Sequence, residues 1–128
     1  MTSEEHIKRI RKVLNFIEEN LDNELSLENL AEIGNYSPFH FHRIFRGIIG
    51  ETLQEYINRN RMEKSAMLLS HHKNKSLEEV FSEVGFKSNS AFSKTFKKYF
   101  GVSPSVFRKN TPEKFSNILP MNSNIGQK

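Results

Sequence analysis

The chain has 128 residues and a formal net charge of +4, and its 36% hydrophobic and 27% charged residues are typical of one globular domain or two small lobes. It contains eleven Phe, no Trp and no Cys, which excludes disulfides, thiolate metal sites and cysteine nucleophiles. No apolar run approaches the roughly 20 residues that a membrane span needs, and the N-terminus lacks the apolar centre of a signal peptide, so we expect a soluble cytoplasmic protein with no membrane partner.

The first predicted helix begins with a capping box formed by Thr2 and Glu5. Apolar residues then recur at steps of three and four, as in an amphipathic helix that ends near residues 20–22: Ile7, Ile10, Leu14, Ile17 and Leu21. The basic residues between positions 8 and 12 lie mostly off this stripe. A solvated surface is the favoured interpretation for them, and phosphate contact is the alternative.

Residues 26–50 predict a short helix, a turn and a longer helix. Ser26 is suited to cap the short helix, which a Gly-Asn pair then ends. Ser37 is the predicted N-cap of the longer helix, and the proline after it occupies the position where a missing N–H costs nothing. Gly50 is the predicted C-cap. This is the sequence form of a helix-turn-helix, whose second helix can lie in a DNA major groove.

A long helix is predicted from about Thr52 to Ser70, and it would span about 28 Å at 1.5 Å per residue. The helix-turn-helix pattern recurs after it, with Ser76 and Ser88 as caps. Five pairs of residues in the two patterns share one offset of 51 residues: Ser37 and Ser88, Phe41 and Phe92, Arg43 and Lys94, Phe45 and Phe96, and Gly50 and Gly101. Because successive major grooves are about 34 Å apart, two such helices on one chain could read adjacent grooves.

A last helix is predicted to run through Arg108, and no segment has the period of a strand. We therefore expect an all-α fold of about seven helices, in which a long linking helix joins two helix-turn-helix subdomains. The expected boundaries are 4–50 for the first lobe, 51–70 for the linking helix and 71–110 for the second lobe. Residues 111–128 are predicted to be a flexible tail or a truncated linker.

The second helix of the first pattern has two different faces. An i, i+3, i+4, i+7 series is predicted to pack inward: Phe41, Ile44, Phe45 and Ile48. The same spacing on another face combines an aromatic ring with hydrogen-bond donors: Phe39, His42, Arg43 and Arg46. In a major groove an Arg can bond guanine O6 and N7, and an apolar ring can contact a thymine methyl group.

The matching helix of the second pattern repeats this division with different residues. Phe92, Phe96 and Tyr99 are predicted to face inward. The other face carries small hydroxyl groups and lysines, which suit phosphates better than base edges: Ser90, Ser93, Lys94 and Lys97. Between Lys87 and Lys109 there are six basic residues and no acidic one. The first lobe should therefore carry more direct base readout, and the second a more electrostatic grip.

Other classes of function have little support in the residues. His40 and His42 point apart on a helix, so no metal or cofactor site is expected. The chain has no Gly-rich phosphate loop, no H-E-x-x-H and no G-x-S-x-G, so no enzyme is predicted. The rival interpretation is a helical protein-interaction module that binds a partner through a Phe-rich surface around Phe39. Binding of structured RNA is a third option, but no known RNA motif is present.

Three segments resemble the DNA-binding domain of the AraC/XylS family of bacterial transcription regulators. They are residues 30–46, the Arg61–Ala66–Leu69 pattern and residues 84–109. The last is similar to the family signature G-F-x(5)-F-x-x-x-F-K-K-x-x-G-x(2)-P-x-x-x-R. The resemblance covers about residues 7–109 and implies a seven-helix, two-lobed domain that binds asymmetric promoter sites and recruits or positions RNA polymerase.

The resemblance also assigns roles to individual residues. Family base-contact positions fall on Phe39, His42, Arg43, Asn89, Ser90 and Lys94. Contacts to the DNA backbone are expected from Ser37, Arg46, Ser88, Ser93, Lys97 and Lys98. Two positions depart from the family pattern. Phe81 replaces a usual Ala, so the second lobe must repack, and Lys94 often appears as Arg, which weakens bidentate guanine recognition there.

Most members of the family carry a sensing domain before this one, whereas here about six residues precede the segment that resembles the family. The chain therefore resembles the small stand-alone branch, or the N-terminal half of members whose C-terminal effector domain follows. We expect a nucleoid-associated regulator that binds duplex DNA as a monomer, with activation favoured over repression.

Overall fold

The computed structural model describes residues 1–110, which form seven α-helices and no strand. The helices are α1 (Ser3–Glu19), α2 (Leu27–Ile33), α3 (Pro38–Ile49), α4 (Leu53–His71), α5 (Leu77–Glu83), α6 (Asn89–Phe100) and α7 (Pro104–Asn110). Within these residues the all-α prediction is confirmed, with helix-turn-helix pairs at α2–α3 and α5–α6. The tail predicted at 111–128 lies outside the described residues. No described helix is both long enough and apolar enough to cross a membrane.

Hydroxyl side chains begin most of the helices, as the sequence predicts. Five serines each accept a hydrogen bond from the backbone N–H three residues later, at 3.0–3.3 Å: Ser26, Ser37, Ser76, Ser88 and Ser103. Each bond satisfies one of the N–H groups that have no partner within the helix. Thr52 and Glu55 form a further reciprocal capping box at the start of α4.

The turns inside the two helix-turn-helix pairs share their hydrogen bonds but differ in length. In each turn a backbone N–H bonds to a carbonyl five residues earlier, from Tyr36 at 2.8 Å and from Phe86 at 2.9 Å. The left-handed residue is Asn35 (φ 64°) in the first turn and Gly85 (φ 86°) in the second. Because α2 and α5 begin 50 residues apart but α3 and α6 begin 51 apart, the second turn contains one extra residue.

The chain divides into two compact units, a first unit of Met1–Asn60 and a second unit that begins at Arg61. The core of the first unit is formed by these buried residues: Ile10, Val13, Ile17, Leu21, Leu30, Ala31, Phe41, Phe45, Leu53, Tyr56 and Ile57. The rings of Phe41 and Phe45 are fully buried, with centroids 5.6 Å apart. The rings of Phe45 and Tyr56 form an edge-to-face contact, with centroids 5.7 Å apart.

Two residues predicted to face this core are exposed. Ile7 is 45% exposed and Ile48 is 40% exposed, whereas Val13 is fully buried. Val13 continues the helical steps between Ile10 and Ile17, so the buried face of α1 is centred on its side of the helix. Ile7 therefore lies at the margin of that face.

The second unit has its own core, in which four Phe rings surround Phe92 and Phe96. Its buried residues are Met62, Ala66, Leu68, Leu69, Val80, Phe81, Val84, Phe92, Phe96 and Phe107. The ring of Phe81, which replaces the family's Ala, lies 6.0 Å from that of Phe92. The inward position predicted for Tyr99 is wrong, since it is 37% exposed. Phe100 is the packed ring, 4.6 Å from Phe96 and 5.6 Å from Phe107 on α7.

Helix α4 contributes to both cores with different residues. Leu53, Tyr56 and Ile57 belong to the first core, and the series resumes in the second core only at Met62. The five-residue step from Ile57 to Met62 breaks the helical period, so no single apolar stripe runs along α4. Near its start the guanidinium of Arg59 bonds both carboxylate oxygens of Glu51, at 2.9 and 3.0 Å.

Candidate nucleic-acid interface

Helix α3 buries one face and exposes the other. Phe41 and Phe45 fill the core of the first unit. The residues of the opposite face are all exposed: Phe39, His42, Arg43 and Arg46. Phe39 is 70% exposed, which is unusual for so large an apolar side chain. The structure thus brings together, on the solvent side of one helix, the four residues predicted for the first reading face.

Within this face the side chains of Phe39 and Arg43 contact each other. The guanidinium carbon of Arg43 lies 5.8 Å from the centre of the Phe39 ring, within the range of a cation–π contact. Within residues 1–110 no carboxylate forms an ion pair with Arg43. Its hydrogen-bond donors are therefore available to an acceptor outside the protein.

Helix α6 carries the corresponding face of the second unit. Asn89, Ser90, Lys94, Lys97 and Lys98 are exposed. Ser93 is partly buried and its hydroxyl donates to the Asn89 side-chain oxygen at 3.0 Å. The predicted phosphate contact of Ser93 would have to replace this bond, because a phosphate oxygen only accepts hydrogen bonds.

The N-termini of α3 and α6 are also placed for an anion. Ser37 and Ser88 accept bonds from the N–H groups of His40 and Ala91, at 3.3 and 3.1 Å, so their own hydroxyl hydrogens remain available as donors. Each cap begins a helix of 12 residues, whose free N–H groups and dipole favour negative charge.

Neither helix contains an acidic residue, so nothing on α3 or α6 opposes a polyanion. In the preceding helix α5, the carboxylate of Glu83 accepts a hydrogen bond from the ammonium group of Lys75 at 2.8 Å. That hydrogen bond raises the pKa of Lys75. In the described part of the chain no group of His, Asp or Glu is arranged to hold a metal ion.

Contacts between α1 and the first turn were not predicted from the sequence. Arg9, expected on a solvated surface, donates to the backbone oxygen of Asn35 at 2.9 Å and lies 5.3 Å from the centre of the Tyr36 ring. His6 stacks on Tyr36 and hydrogen-bonds its hydroxyl group. These contacts fix the turn that precedes α3. They join residues 26 to 30 positions apart, so no local spacing could indicate them.

An open pocket of about 420 Å³ lies between the start of α1 and the second half of α3. It is lined by Ser3, His6, Ile7, Arg43, Ile44, Gly47 and Ile48. The two exposed isoleucines described above form part of its wall, and so does Arg43 of the exposed face of α3. The pocket is therefore continuous with the exposed face of α3.

Comparison with known proteins places these features in context. A family model described as a helix-turn-helix domain matches residues 30–110. The HTH-type transcriptional activator AarP of Providencia stuartii is 39% identical over 99 residues, which cover 77% of this chain and 73% of AarP. The multiple antibiotic resistance protein MarA of Escherichia coli K12 is 34% identical over 114 residues, covering 88% and 89% of the two chains.

Solved structures have the same fold. The C-terminal domain of AraT, a response regulator from Geobacillus stearothermophilus, superposes with a TM-score of 0.75 at 30% identity, over 81% of this chain and 86% of that domain. The DNA-binding domain of AdpA, solved in complex with a target DNA, superposes with a TM-score of 0.73 over 94% and 98% of the two chains. At 23% identity this second likeness concerns the fold alone.

Proposed function

Because the chain belongs to the AraC/XylS family and is a helix-turn-helix DNA-binding transcription regulator, we propose that it inserts α3 and α6 into adjacent major grooves of one DNA site. One observation carries this proposal. Both helices combine a buried face of Phe residues with an exposed face that has donors and cations but no acid. Such a face suits a groove lined by acceptor atoms and flanked by phosphates.

The proposed contacts follow the exposed faces of the two helices. Base edges are contacted by Phe39, His42, Arg43, Asn89, Ser90 and Lys94. Phosphates are contacted by Ser37, Arg46, Ser88, Ser93, Lys97 and Lys98. The two faces differ at matched positions, with Phe39 against Ser90 and Arg43 against Lys94. A monomer with unlike reading faces recognises an asymmetric site, whereas a symmetric dimer recognises a palindrome.

The regulator is proposed to act as an activator and to contact RNA polymerase. The description of AarP as a transcriptional activator supports the sign of regulation. A protein of this kind would reside on the nucleoid.

A specific observation also favours a second function, docking to a protein partner. Phe39 is 70% exposed, and exposed apolar side chains are typical of protein interfaces. The two functions differ in their response to salt. Binding through phosphate contacts weakens steeply as salt concentration rises, whereas apolar docking does not.

The direct test is selection from a random duplex-DNA library at near-physiological salt. We expect an asymmetric motif with two blocks about one helical turn apart. A palindromic motif would contradict the monomer and indicate a dimer with one unit on each half-site. Weak, salt-sensitive binding with no enriched sequence would contradict specific recognition by this chain.

A further inference from the structure

We infer that Phe39 is a positioning residue for Arg43, so that the two side chains of α3 determine base specificity as one unit. In this arrangement the ring holds the guanidinium in the orientation that reads guanine. The inference rests on the proposed function, and it adds a role for Phe39 that differs from contact with a thymine methyl group.

Packing in the core does not explain why a Phe is present at position 39. The neighbouring rings of α3 that fill the core, Phe41 and Phe45, are fully buried, whereas Phe39 is 70% exposed. Exposing a Phe has no benefit for folding, because burial is what stabilises an apolar side chain. The contacts of Phe39 on its own helix are with Arg43, one turn later, and with the ring of His40.

A cation–π contact between Phe39 and Arg43 does not prevent Arg43 from reading a base. A guanidinium over a ring uses its flat face, whereas its five N–H groups point outward in the plane. Bidentate recognition of guanine O6 and N7 uses two of those N–H groups. Stacking on Phe39 and bonding to guanine are therefore compatible at the same time.

Stacking also lowers the entropic cost of recognition. A free Arg side chain has high rotamer entropy, and part of it is lost when the fork is fixed against a base. The N-terminal turn of α3, which carries Phe39, is itself held in place. Ser37 caps the helix, and Arg9 and His6 fix the preceding turn. Because the backbone that carries Phe39 is ordered, its ring limits the conformations of the long and flexible Arg43 side chain.

The second unit provides an internal contrast. At the offset of 51 residues, Ser90 replaces Phe39 and Lys94 replaces Arg43. Within the described residues no aromatic ring lies beneath the Lys94 ammonium group. A lysine is a compact point charge without a planar fork, so it gains little from such a platform. Strong guanine discrimination is therefore expected in the block that α3 reads and not in the block that α6 reads.

The test is a double-mutant cycle with Phe39→Leu, Arg43→Ala and the combined variant. Leucine retains an apolar group for a thymine methyl but removes the π face, and Phe39→Tyr is the matched control that keeps the ring. Binding constants are measured on the selected duplex and on duplexes in which each base pair of the α3 block is replaced. We expect Phe39→Leu to lower discrimination about two- to fivefold at the same base pair that Arg43→Ala affects. The combined variant should be no worse at that base pair than Arg43→Ala alone.

Two other results would separate the inference from the function beneath it. If Phe39→Leu affects a different base pair and its effect multiplies with that of Arg43→Ala, Phe39 is a methyl contact only, and the inference is wrong although DNA reading stands. If Arg43→Ala changes discrimination at no base pair, the proposed reading by α3 fails and the inference fails with it.

A measurement without DNA tests the stack directly. In the free protein the ring current of Phe39 should shift the side-chain NMR resonances of Arg43, and Phe39→Leu should remove that shift while Phe39→Tyr keeps it. Resonances of Arg43 that are the same in all three proteins would overturn the inference. Because Phe39 lies at the surface, thermal unfolding of each variant should be close to that of the parent protein.

Discussion

Lys97 is one of two exposed lysines in the last turn of α6, and its proposed role has a quantitative signature. A phosphate contact releases a condensed counterion, so removing one contact lowers the slope of log Kd against log salt concentration by about 0.9. Lys97→Ala should therefore weaken binding to all sequences alike. The measurement is a salt titration of binding to the selected duplex and to unrelated duplexes.

Lys12 on α1 provides the matched control for this experiment. It is also an exposed lysine on a helix, but for it a solvated surface is the favoured interpretation and phosphate contact the alternative. Lys12→Ala should leave the slope unchanged. If both variants lower the salt slope equally, the effect is a general one of net charge. An unchanged salt slope in Lys97→Ala would reject the phosphate contact.

The environment of the Tyr56 phenol determines how the stability of the first unit should respond to alkaline pH. Its hydroxyl donates to a carboxylate oxygen of Glu18 at 3.0 Å. Burial and this hydrogen bond raise the pKa of Tyr56 well above its usual value. The folded state therefore holds the phenol proton more tightly than the unfolded state does. The resulting stabilisation is fully present below the unfolded pKa of about 10 and is lost as pH rises above it.

The variant that tests this is Tyr56→Phe. At pH 7 it should lower the free energy of unfolding by about 1 kcal/mol, because the hydrogen bond is lost. Above about pH 10 its stability should fall less steeply than that of the parent protein. Urea denaturation across this range measures both effects. Parallel pH profiles for the two proteins would show that the Tyr56 phenol does not contribute.

At the scale of the helix, the glycine inside α3 and the glycine that caps its C-terminus have opposite expected effects on stability. Gly50 ends the helix at φ 86°, and no atom lies within 4 Å of where a Cβ would be. Gly50→Ala should destabilise the protein by about 1 kcal/mol through backbone strain alone. Gly47 is inside the helix with equally open surroundings. Gly47→Ala should stabilise by about 0.5–1 kcal/mol, since alanine loses less backbone entropy in a helix.

Chemical denaturation of the two variants tests this pair, and each serves as the control for the other. Changes of the same sign would indicate that space around α3, and not backbone conformation, decides the effect of an added methyl group.

The positions of the helices could be read from the sequence because their signals are local. Hydroxyl caps, the Ser-Pro start of α3 and the glycines after α3 and α6 all act within a few residues. The sequence does not indicate in the same way which residues at the margins of a core face are buried. Ile7, Ile48 and Tyr99 have helical spacings that fit a core face, but the neighbouring helices cover Val13 and Phe100 instead. That choice depends on tertiary packing.

The candidate site shows the same limit. Helical periodicity was sufficient to place Phe39, His42, Arg43 and Arg46 on one exposed face. It could not indicate that Arg43 makes a cation–π contact with Phe39, or that Arg9 donates a hydrogen bond to the turn before α3. The first contact depends on side-chain rotamers, and the second on the packing of α1, and neither has a local sequence signal.

At the scale of the whole molecule, each compact unit has its own cluster of buried aromatic rings. Phe45 contacts Phe41 and Tyr56 in the first core, and Phe96 contacts Phe92 and Phe107 in the second. Phe96→Ala removes about 3–5 kcal/mol of stabilisation from the second core. We expect amide exchange to accelerate in α5–α7 while α1–α3 retain their protection.

Phe45→Ala is the mirror experiment, and it should accelerate exchange in α1–α3 first. Hydrogen exchange followed by mass spectrometry resolves the two groups of helices. Uniform loss of protection across all described helices in either variant would show that the two cores unfold as one cooperative element.

The repeated architecture has a consequence for how this protein can evolve. In each helix-turn-helix pair the residues that maintain the fold and those that face solvent are different side chains of the same helix, with Phe41 and Phe92 unchanged between the copies and Arg43 and Lys94 divergent. Surface substitutions away from caps and cores change stability by only about 0.5 kcal/mol. With both copies reading DNA as proposed, mutation can therefore explore new promoter preferences in one copy while the other keeps the protein on its existing sites. Regulatory networks can be rewired in this way by single steps, each of which leaves a folded and partly functional protein.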